Sequence, residues 1–215
     1  APGVEVPDLV DGMVRVLVCR RGRAQAGPDN VQHRAALVQI LDEHLPAEVD
    51  RYRADEAFWV PVDVEPLRQV YSEVLGVRVG DLPGDYLLMT AADLPNTYGA
   101  SDLKPGIAHR LLAILIAEGV LKEIASGNWD GLVEAAVEEL TGLAGLLDVH
   151  VSAEDVREGN SFAQIAKFHG CAVMARTHPG NYADKIIATR AQISRFDNNA
   201  AFEHMRQALK ERTTK

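Results

Sequence analysis

The sequence has few cysteines and no stretch long enough to cross a membrane. Cys19 and Cys171 are its only cysteines, and neither belongs to a spacing that binds zinc. The longest wholly apolar run, 111–117, is far shorter than the roughly 20 residues of a membrane-spanning helix. No basic start followed by an apolar stretch is visible, so no signal peptide is evident. We therefore expect a cytoplasmic or otherwise intracellular protein with reduced thiols, no metal site and no membrane partner.

The motifs that identify several common chemistries are also missing. The sequence contains neither a P-loop nor a G-x-G-x-x-G pattern, and it lacks the H-E-x-x-H and G-x-S-x-G patterns. These absences argue against nucleotide binding by those folds, against a zinc peptidase and against a hydrolase with a nucleophile elbow. The sequence predicts no cofactor.

The overall composition is that of a globular protein. Hydrophobic residues make 47% and charged residues 25% of the chain, and 215 residues suffice for one large domain or two small ones. Residues 93–106 are rich in Pro, Asn, Gly, Ser and Asp, which is typical of a loop. We therefore expect an acidic N-terminal part over 1–100 and a helical part over 101–215 that ends in a basic segment. One continuous domain is the alternative.

Hydrophobic spacing predicts a mainly α fold with a few short strands in the N-terminal half, and an α+β fold is the alternative. Strands are predicted at 13–20 and 86–90, whereas 171–175 fits a strand or a helix. The helices at 107–124 and 128–147 are expected to form an antiparallel hairpin, with the first of them in the centre of the fold. The predicted helices cover 29–45, a segment beginning at Pro46, 66–75, 107–124, 128–147, 161–169, 182–196 and a segment that follows Asp197.

Charge is distributed unevenly along the chain. The formal net charge is −9, from 22 basic and 31 acidic residues. Residues 1–156 contain 12 basic and 26 acidic side chains, whereas residues 157–215 contain 10 basic and 5 acidic ones. The basic C-terminal segment therefore predicts an anionic partner, which is either a polyanion or an acidic surface of the same protein. An ordinary drift of surface charge is the alternative explanation.

Aromatic and basic residues are interleaved in this basic segment. Four of the five phenylalanines lie there, and single-stranded nucleic acid sites combine aromatic rings with cations in this way. In the alternative, purely structural interpretation, the phenylalanine rings pack in the core and the basic side chains are exposed to solvent. Arg190 falls on the apolar face of the predicted helix 182–196, so it is an interface residue, an anion contact or a sign that the helix is wrongly assigned. The predicted polyanion-binding residues are Arg176, Lys185, Arg190, Arg195 and Arg206.

Three residues of the same segment form the alternative, catalytic hypothesis. His169 and His178 flank Cys171, and a cysteine with a nearby histidine can act as a nucleophile with its base. Cys171 also lies in a small apolar run, which indicates packing. We expect a non-enzymatic assembly or binding protein, coat-like or nucleoprotein-like, that forms a homo-oligomer and contacts single-stranded nucleic acid or another polyanion. The alternative is a small helical enzyme that acts on an anionic metabolite.

Overall fold

A computed structural model describes residues 6–21, 28–55, 59, 63–152, 155 and 162–195, without the side chains of 6–8, 18–21, 28–30 and 195. The chain forms two compact units. The helical unit consists of the described residues between Glu5 and Thr97, together with Ala188–Ala191. The sheet unit contains the described residues of Tyr98–Ile187 and of Gln192–Lys215. The predicted mainly α fold with a few short strands is confirmed.

The helical unit is built from α-helices and one π-helix, Leu87–Ala91. The predicted helices at 29–45 and from Pro46 are confirmed as α2 and α3, and the predicted helix 66–75 is present but interrupted at Val70. The core consists mainly of aliphatic side chains from α1, α2 and the π-helix. The α-helices are α1 (Val6–Arg21), α2 (Pro28–His44), α3 (Pro46–Ala54), α4 (Glu65–Gln69) and α5 (Tyr71–Val74).

The two strands predicted in the N-terminal half are wrong. Residues 13–20 belong to α1, whose buried residues Leu9, Val10, Met13, Val14 and Leu17 recur at helical spacing. The helical period depends on Leu9 and Val10, which precede the β-branched stretch, and tertiary packing outweighs the strand preference of the valines. Residues 86–90 begin the π-helix, because a short apolar run does not distinguish a strand from a buried helix.

The sheet unit is built around three parallel strands. They are β1 (Glu123–Ser126), β2 (Leu147–His150) and β3 (Ala163–Lys167), and β3 lies between the other two. Ile165 of β3 aligns with Ile124 of β1 and with Val149 of β2. Among the described residues, the strands therefore lie in the C-terminal half of the chain, not in the predicted N-terminal half.

Helices cover this sheet and complete the unit. The chain passes from one unit to the other within α6 and again near the start of α11. A continuous core joins Ala113 and Ile116 to Ala136, Val137 and Ile165. The helices of the sheet unit are α7 (Ile107–Ala117), α8 (Leu132–Thr141), α9 (Ala172–Thr177) and α10 (Pro179–Tyr182), with a 3-10 turn at Ala183–Lys185, whereas α6 (Leu94–Tyr98) and α11 (Arg190–Arg195) are divided between the two units.

Two glycines end the long predicted helices early. α7 ends at Ala117 and is followed by Gly119 with a φ of 70°, and α8 ends at Thr141 before Gly142 with a φ of 67°. Both values lie in the left-handed region that glycine adopts readily at helix ends. Beyond these glycines the chain enters β1 at Glu123 and β2 at Leu147. Because β1 separates α7 from α8 in the chain, the predicted helical hairpin is wrong.

Three further segments differ from or complete the sequence prediction. Residues 163–167 form β3 instead of a helix, because Ala163, Ile165 and Lys167 alternate with less buried neighbours and the backbone pairs on both sides. Residues 172–177 are helical, which decides between the two structures predicted for 171–175. The predicted helix 182–196 is wrong over 186–189, which separate the 3-10 turn from α11. The helix predicted after Asp197 lies outside the described residues.

Candidate functional site

The carboxyl ends of the three strands lie at one edge of the sheet, which we call the carboxyl edge. It consists of the residues that end or follow the strands, 126–128, 150–152 and 167–170, together with Asp155 and the segment 182–187. Parallel strands place these ends side by side, and ligands of open α/β sheets bind at this edge. Because β3 is the central strand, the residues after it lie between the other two loops.

His169 follows β3 and is partly buried at this edge. Its ring lies edge-on to Phe168, with 4.7 Å between the ring centroids. A methyl group added at Gly127 would lie 3.3 Å from His169 Nδ1, so the loop after β1 passes directly beside this imidazole. Burial lowers the pKa of His169, and a hydrogen bond with the Gly127 backbone opposes this shift. The ring is therefore neutral at pH 7 and can take up or release a proton.

The loop after β2 carries a hydrogen-bonded cluster. Asp155 Oδ2 accepts hydrogen bonds from the backbone N–H groups of Val151 and Ser152, each at 2.8 Å, and Asp155 Oδ1 accepts one from the Tyr182 hydroxyl at 2.5 Å. Partial burial opposes ionisation of Asp155, but these hydrogen bonds prevail and lower its pKa. The carboxylate therefore fixes this loop to the segment that begins at Tyr182.

Lys185 brings a positive charge to the same cluster. Its Nζ donates a hydrogen bond to Ser152 Oγ at 3.1 Å and lies 5.0 Å from the centre of the Tyr182 ring. This side chain is one of the five predicted polyanion contacts. The structure places it beside the loop after β2, at an edge that an anionic ligand could approach.

The segment 185–187 connects this cluster to His169. The Ile187 N–H donates to the His169 carbonyl at 3.0 Å, and the Trp129 indole donates to the Ile187 carbonyl at 3.0 Å. Gly170 has a φ of 89°, and a methyl group there would lie 2.6 Å from the Lys185 carbonyl oxygen. One backbone hydrogen bond and several side-chain hydrogen bonds thus join the loops after all three strands through the segment 182–187.

A buried ion pair lies next to the carboxyl edge, at the end of β3. Lys167 is the last residue of β3 and is only 1% exposed. Its Nζ lies 2.8 Å from Glu134 Oε1 on α8 and donates to the Asp130 carbonyl. Burial lowers the pKa of Lys167, but the negative charges of Glu134 and Asp130 and the hydrogen bond to Glu134 contribute to a net raised pKa. The charged lysine therefore fixes the end of β3 to the start of α8.

Cys171 lies in a different environment from His169. It lines a cleft of about 320 Å³, together with residues of α8, α9 and the loop 99–103, and its side chain is buried. Burial raises the pKa of the thiol, although the nearby Lys167 charge opposes this effect. A thiol with a raised pKa is protonated at neutral pH and is a poor nucleophile, which favours the packing interpretation of Cys171.

The remaining predicted residues are spread over the two units. His178 is exposed and lies 3.0 Å from the Thr177 hydroxyl. Arg176 is exposed and lines the same cleft as Cys171. Arg190 begins α11 and donates to Glu73 Oε1 at 2.5 Å, so the wrongly assigned helix explains why this arginine interrupted the apolar pattern. The side chain of Arg195 and the whole of Arg206 lie outside the described residues.

Asn128 stands at the start of the predicted helix 128–147 and Tyr182 at the start of the predicted helix 182–196, so the sequence does not group them with His169. The polar residues Ser126, Asn128 and Ser152 lie at or just after the ends of β1 and β2. That signal has meaning only once 123–126 and 147–150 are known to be strands. Asn128 is exposed and lies at this edge.

Among the residues with described side chains, no group of three His, Cys, Asp or Glu residues is arranged to hold a metal ion. A search of the same residues finds no helix with the length and apolar character of a membrane span. Comparison with protein-family models, with curated sequences and with solved structures gives no significant match.

Proposed function

We propose that the carboxyl edge binds a small anionic metabolite and that the chain acts on it as an enzyme, with His169 as general acid or base. The observation that carries this proposal is the meeting of three strand-following loops around one partly buried imidazole. Open parallel sheets place their ligands at this edge. A lowered histidine pKa is common at catalytic sites, and here it accompanies the geometry.

The charges of the carboxyl edge favour an anion. Lys185 contributes an ammonium group, and Asn128 contributes an exposed amide that can donate to an oxygen atom. Asp155 and Asp184 are the carboxylates of this edge among the described residues. The two oxygens of Asp155 accept hydrogen bonds from Tyr182, Val151 and Ser152, and Asp184 is exposed.

Isothermal titration calorimetry with pyrophosphate and citrate tests this proposal. We expect Lys185→Met to weaken binding by roughly tenfold, which corresponds to the loss of one charge-assisted hydrogen bond. Lys122→Met is the matched control, because Lys122 is exposed and precedes β1 at the opposite edge of the sheet. Equal binding by both variants, or no binding of either anion by the native chain, contradicts the proposal.

The second candidate is the assembly or polyanion-binding protein predicted from charge. The exposed guanidinium groups of Arg176 and Arg190 favour it, since both are accessible to a phosphate backbone. In this case the chain forms a homo-oligomer through acidic and basic surfaces, and this oligomer dissociates as salt rises.

Fluorescence anisotropy with single-stranded RNA and DNA tests the second candidate. We expect affinity to fall steeply with salt, and we expect Arg176→Ala with Arg190→Ala to flatten that dependence. Arg53→Ala provides the control, because Arg53 is also exposed and paired with a carboxylate, Asp42, but lies outside the basic C-terminal segment. An unchanged salt dependence in the double variant contradicts this function.

A further inference from the structure

The outer face of α7 carries large apolar side chains that the described part of the chain leaves exposed to solvent. Ile107, Leu111, Ile114 and Leu115 are 80%, 57%, 45% and 40% exposed. At 3.6 residues per turn these four side chains fall within about 100° of arc, so they form one continuous stripe. Ala113 and Ile116 on the opposite side are completely buried. The helix is therefore apolar on both sides, whereas the described chain covers only one of them.

A groove lies beside this stripe. It has a volume of about 330 Å³ and is lined by Ile114, Ala136 and Leu140, with Arg110 and Glu139 among its other lining residues. Arg110 of α7 and Glu139 of α8 lie 3.7 Å apart, and both side chains are about half exposed. The groove thus combines an apolar floor with one cation and one anion. Exposed apolar patches framed by polar residues mark interaction surfaces.

We propose that this surface, which we call the α7 face, binds a second copy of this chain through a two-fold axis, with α7 of each copy packed against the groove of the other. Charge complementarity supports this partner. A two-fold interface brings each surface against itself, so it requires a surface that is complementary to itself. The α7 face meets this requirement because it carries one cation, Arg110, and one anion, Glu139, which lie 3.7 Å apart in one copy and exchange partners across the proposed axis. The proposal is independent of the ligand at the carboxyl edge.

The polarity of the two helices determines how the copies pack. The outer part of α8 carries Glu138 and Glu139, whereas α7 contributes Arg110 and no carboxylate. Pairing α8 with α8 would therefore bring like charges together, and pairing α7 with the α7 and α8 groove brings opposite charges together. The affinity of such a dimer depends little on salt concentration, because the centre of its interface is apolar and only two ion pairs lie at its margin. This behaviour distinguishes the interface from the salt-sensitive oligomer of the second candidate function.

Sedimentation equilibrium over a wide concentration range tests the interface. We expect a dimer that persists at high salt, and we expect Leu111→Glu with Ile114→Glu to convert it to a monomer. Both positions are exposed, so the charges do not enter the core. Val31→Glu is the matched control, because Val31 is 69% exposed on α2 and lies outside the α7 face. A native chain that stays monomeric overturns the proposal, and so does a double variant that dimerises like the control.

Charge reversal provides a second test, in which recovery by a mixture of two variants separates the interface from effects on the fold of each chain. Arg110→Glu places two carboxylates against each other in a homodimer, and Glu139→Arg places two guanidinium groups against each other. Each variant alone should bind itself roughly tenfold more weakly than the native chain. A mixture of the two should form heterodimers, because both contacts are then between opposite charges. A mixture that remains as weakly associated as the separate variants overturns the proposal.

Discussion

Lys167 Nζ lies 2.8 Å from Glu134 Oε1, and the lysine side chain is almost completely buried in the sheet unit. Removal of one partner leaves the other charge buried without compensation, which typically costs about 3 to 5 kcal/mol. We therefore expect Lys167→Met to lower the free energy of unfolding by about that amount in chemical denaturation.

Two variants serve as controls for this result. Lys122→Met makes the same substitution at an exposed position and should change the free energy of unfolding by less than about 0.5 kcal/mol. Lys167→Met combined with Glu134→Leu should recover part of the loss, because no unpaired charge then remains. A cost below about 1 kcal/mol for Lys167→Met alone contradicts a buried ion pair.

The same ion pair predicts a change of stability at high pH. The pKa of Lys167 is raised above its ordinary value of 10.5 in the folded chain, so folding favours the charged lysine. The stabilisation is fully present below pH 10.5 and decreases as the pH rises through the folded pKa. Denaturation measured across this range should show a steeper loss of stability for the native chain than for Lys167→Met. Parallel curves contradict the assignment.

Gly170 predicts a large effect from one methyl group. Its φ is 89°, and a Cβ atom would lie 2.6 Å from the Lys185 carbonyl oxygen. We expect Gly170→Ala to cost about 2 to 4 kcal/mol, from backbone strain and from displacement of the segment beside His169. Gly142→Ala separates the two causes, since its φ is 67° but no atom lies within 4 Å of the added carbon. Gly142→Ala should lower the free energy of unfolding by only about 1 to 2 kcal/mol. Equal losses for Gly142→Ala and Gly170→Ala contradict a steric contribution from the Lys185 carbonyl.

Tyr182 predicts the acid response of the cluster at the carboxyl edge. Its hydroxyl donates to Asp155, and such hydrogen bonds hold the pKa of this carboxylate below its usual 3.8 despite partial burial. This stabilisation is present above pH 3.8 and is lost as the pH falls through the folded pKa. Tyr182→Phe should raise the pKa of Asp155 in an NMR titration and cost about 0.5 to 1.5 kcal/mol at neutral pH. An unchanged Asp155 titration contradicts the contact.

The sequence predicted helices correctly where local signals, such as the apolar period and the residue at the helix start, agreed with tertiary packing. The helices beginning at Pro28 and Pro46 were predicted because a proline or a cap residue precedes a helical apolar period, and packing then buries that same face. The mainly α class followed from these long periodic segments. By contrast, β3 was predicted as a helix, because its five residues acquire their structure by pairing with β1 and β2.

The candidate site was predictable only in part, for the same reason. His169 was selected from the sequence, but Asn128 and Asp155 could not be grouped with it because neither β1 nor β2 was predicted as a strand. Residues that are distant in the chain meet at the carboxyl edge only because three strands run parallel. That parallel pairing leaves no short-range sequence signal in segments of four or five residues.

The most direct test of an anion site at the carboxyl edge is an NMR titration of the His169 imidazole with and without pyrophosphate. The resonance of His169 is assigned by its absence in the His169→Gln variant. Because burial lowers its pKa, we expect a midpoint below the ordinary 6.5 in the free protein. Pyrophosphate at the carboxyl edge should raise this midpoint, since a nearby anion favours the imidazolium. Lys185→Met should reduce that rise. A His169 midpoint that pyrophosphate and citrate leave unchanged contradicts the proposed site.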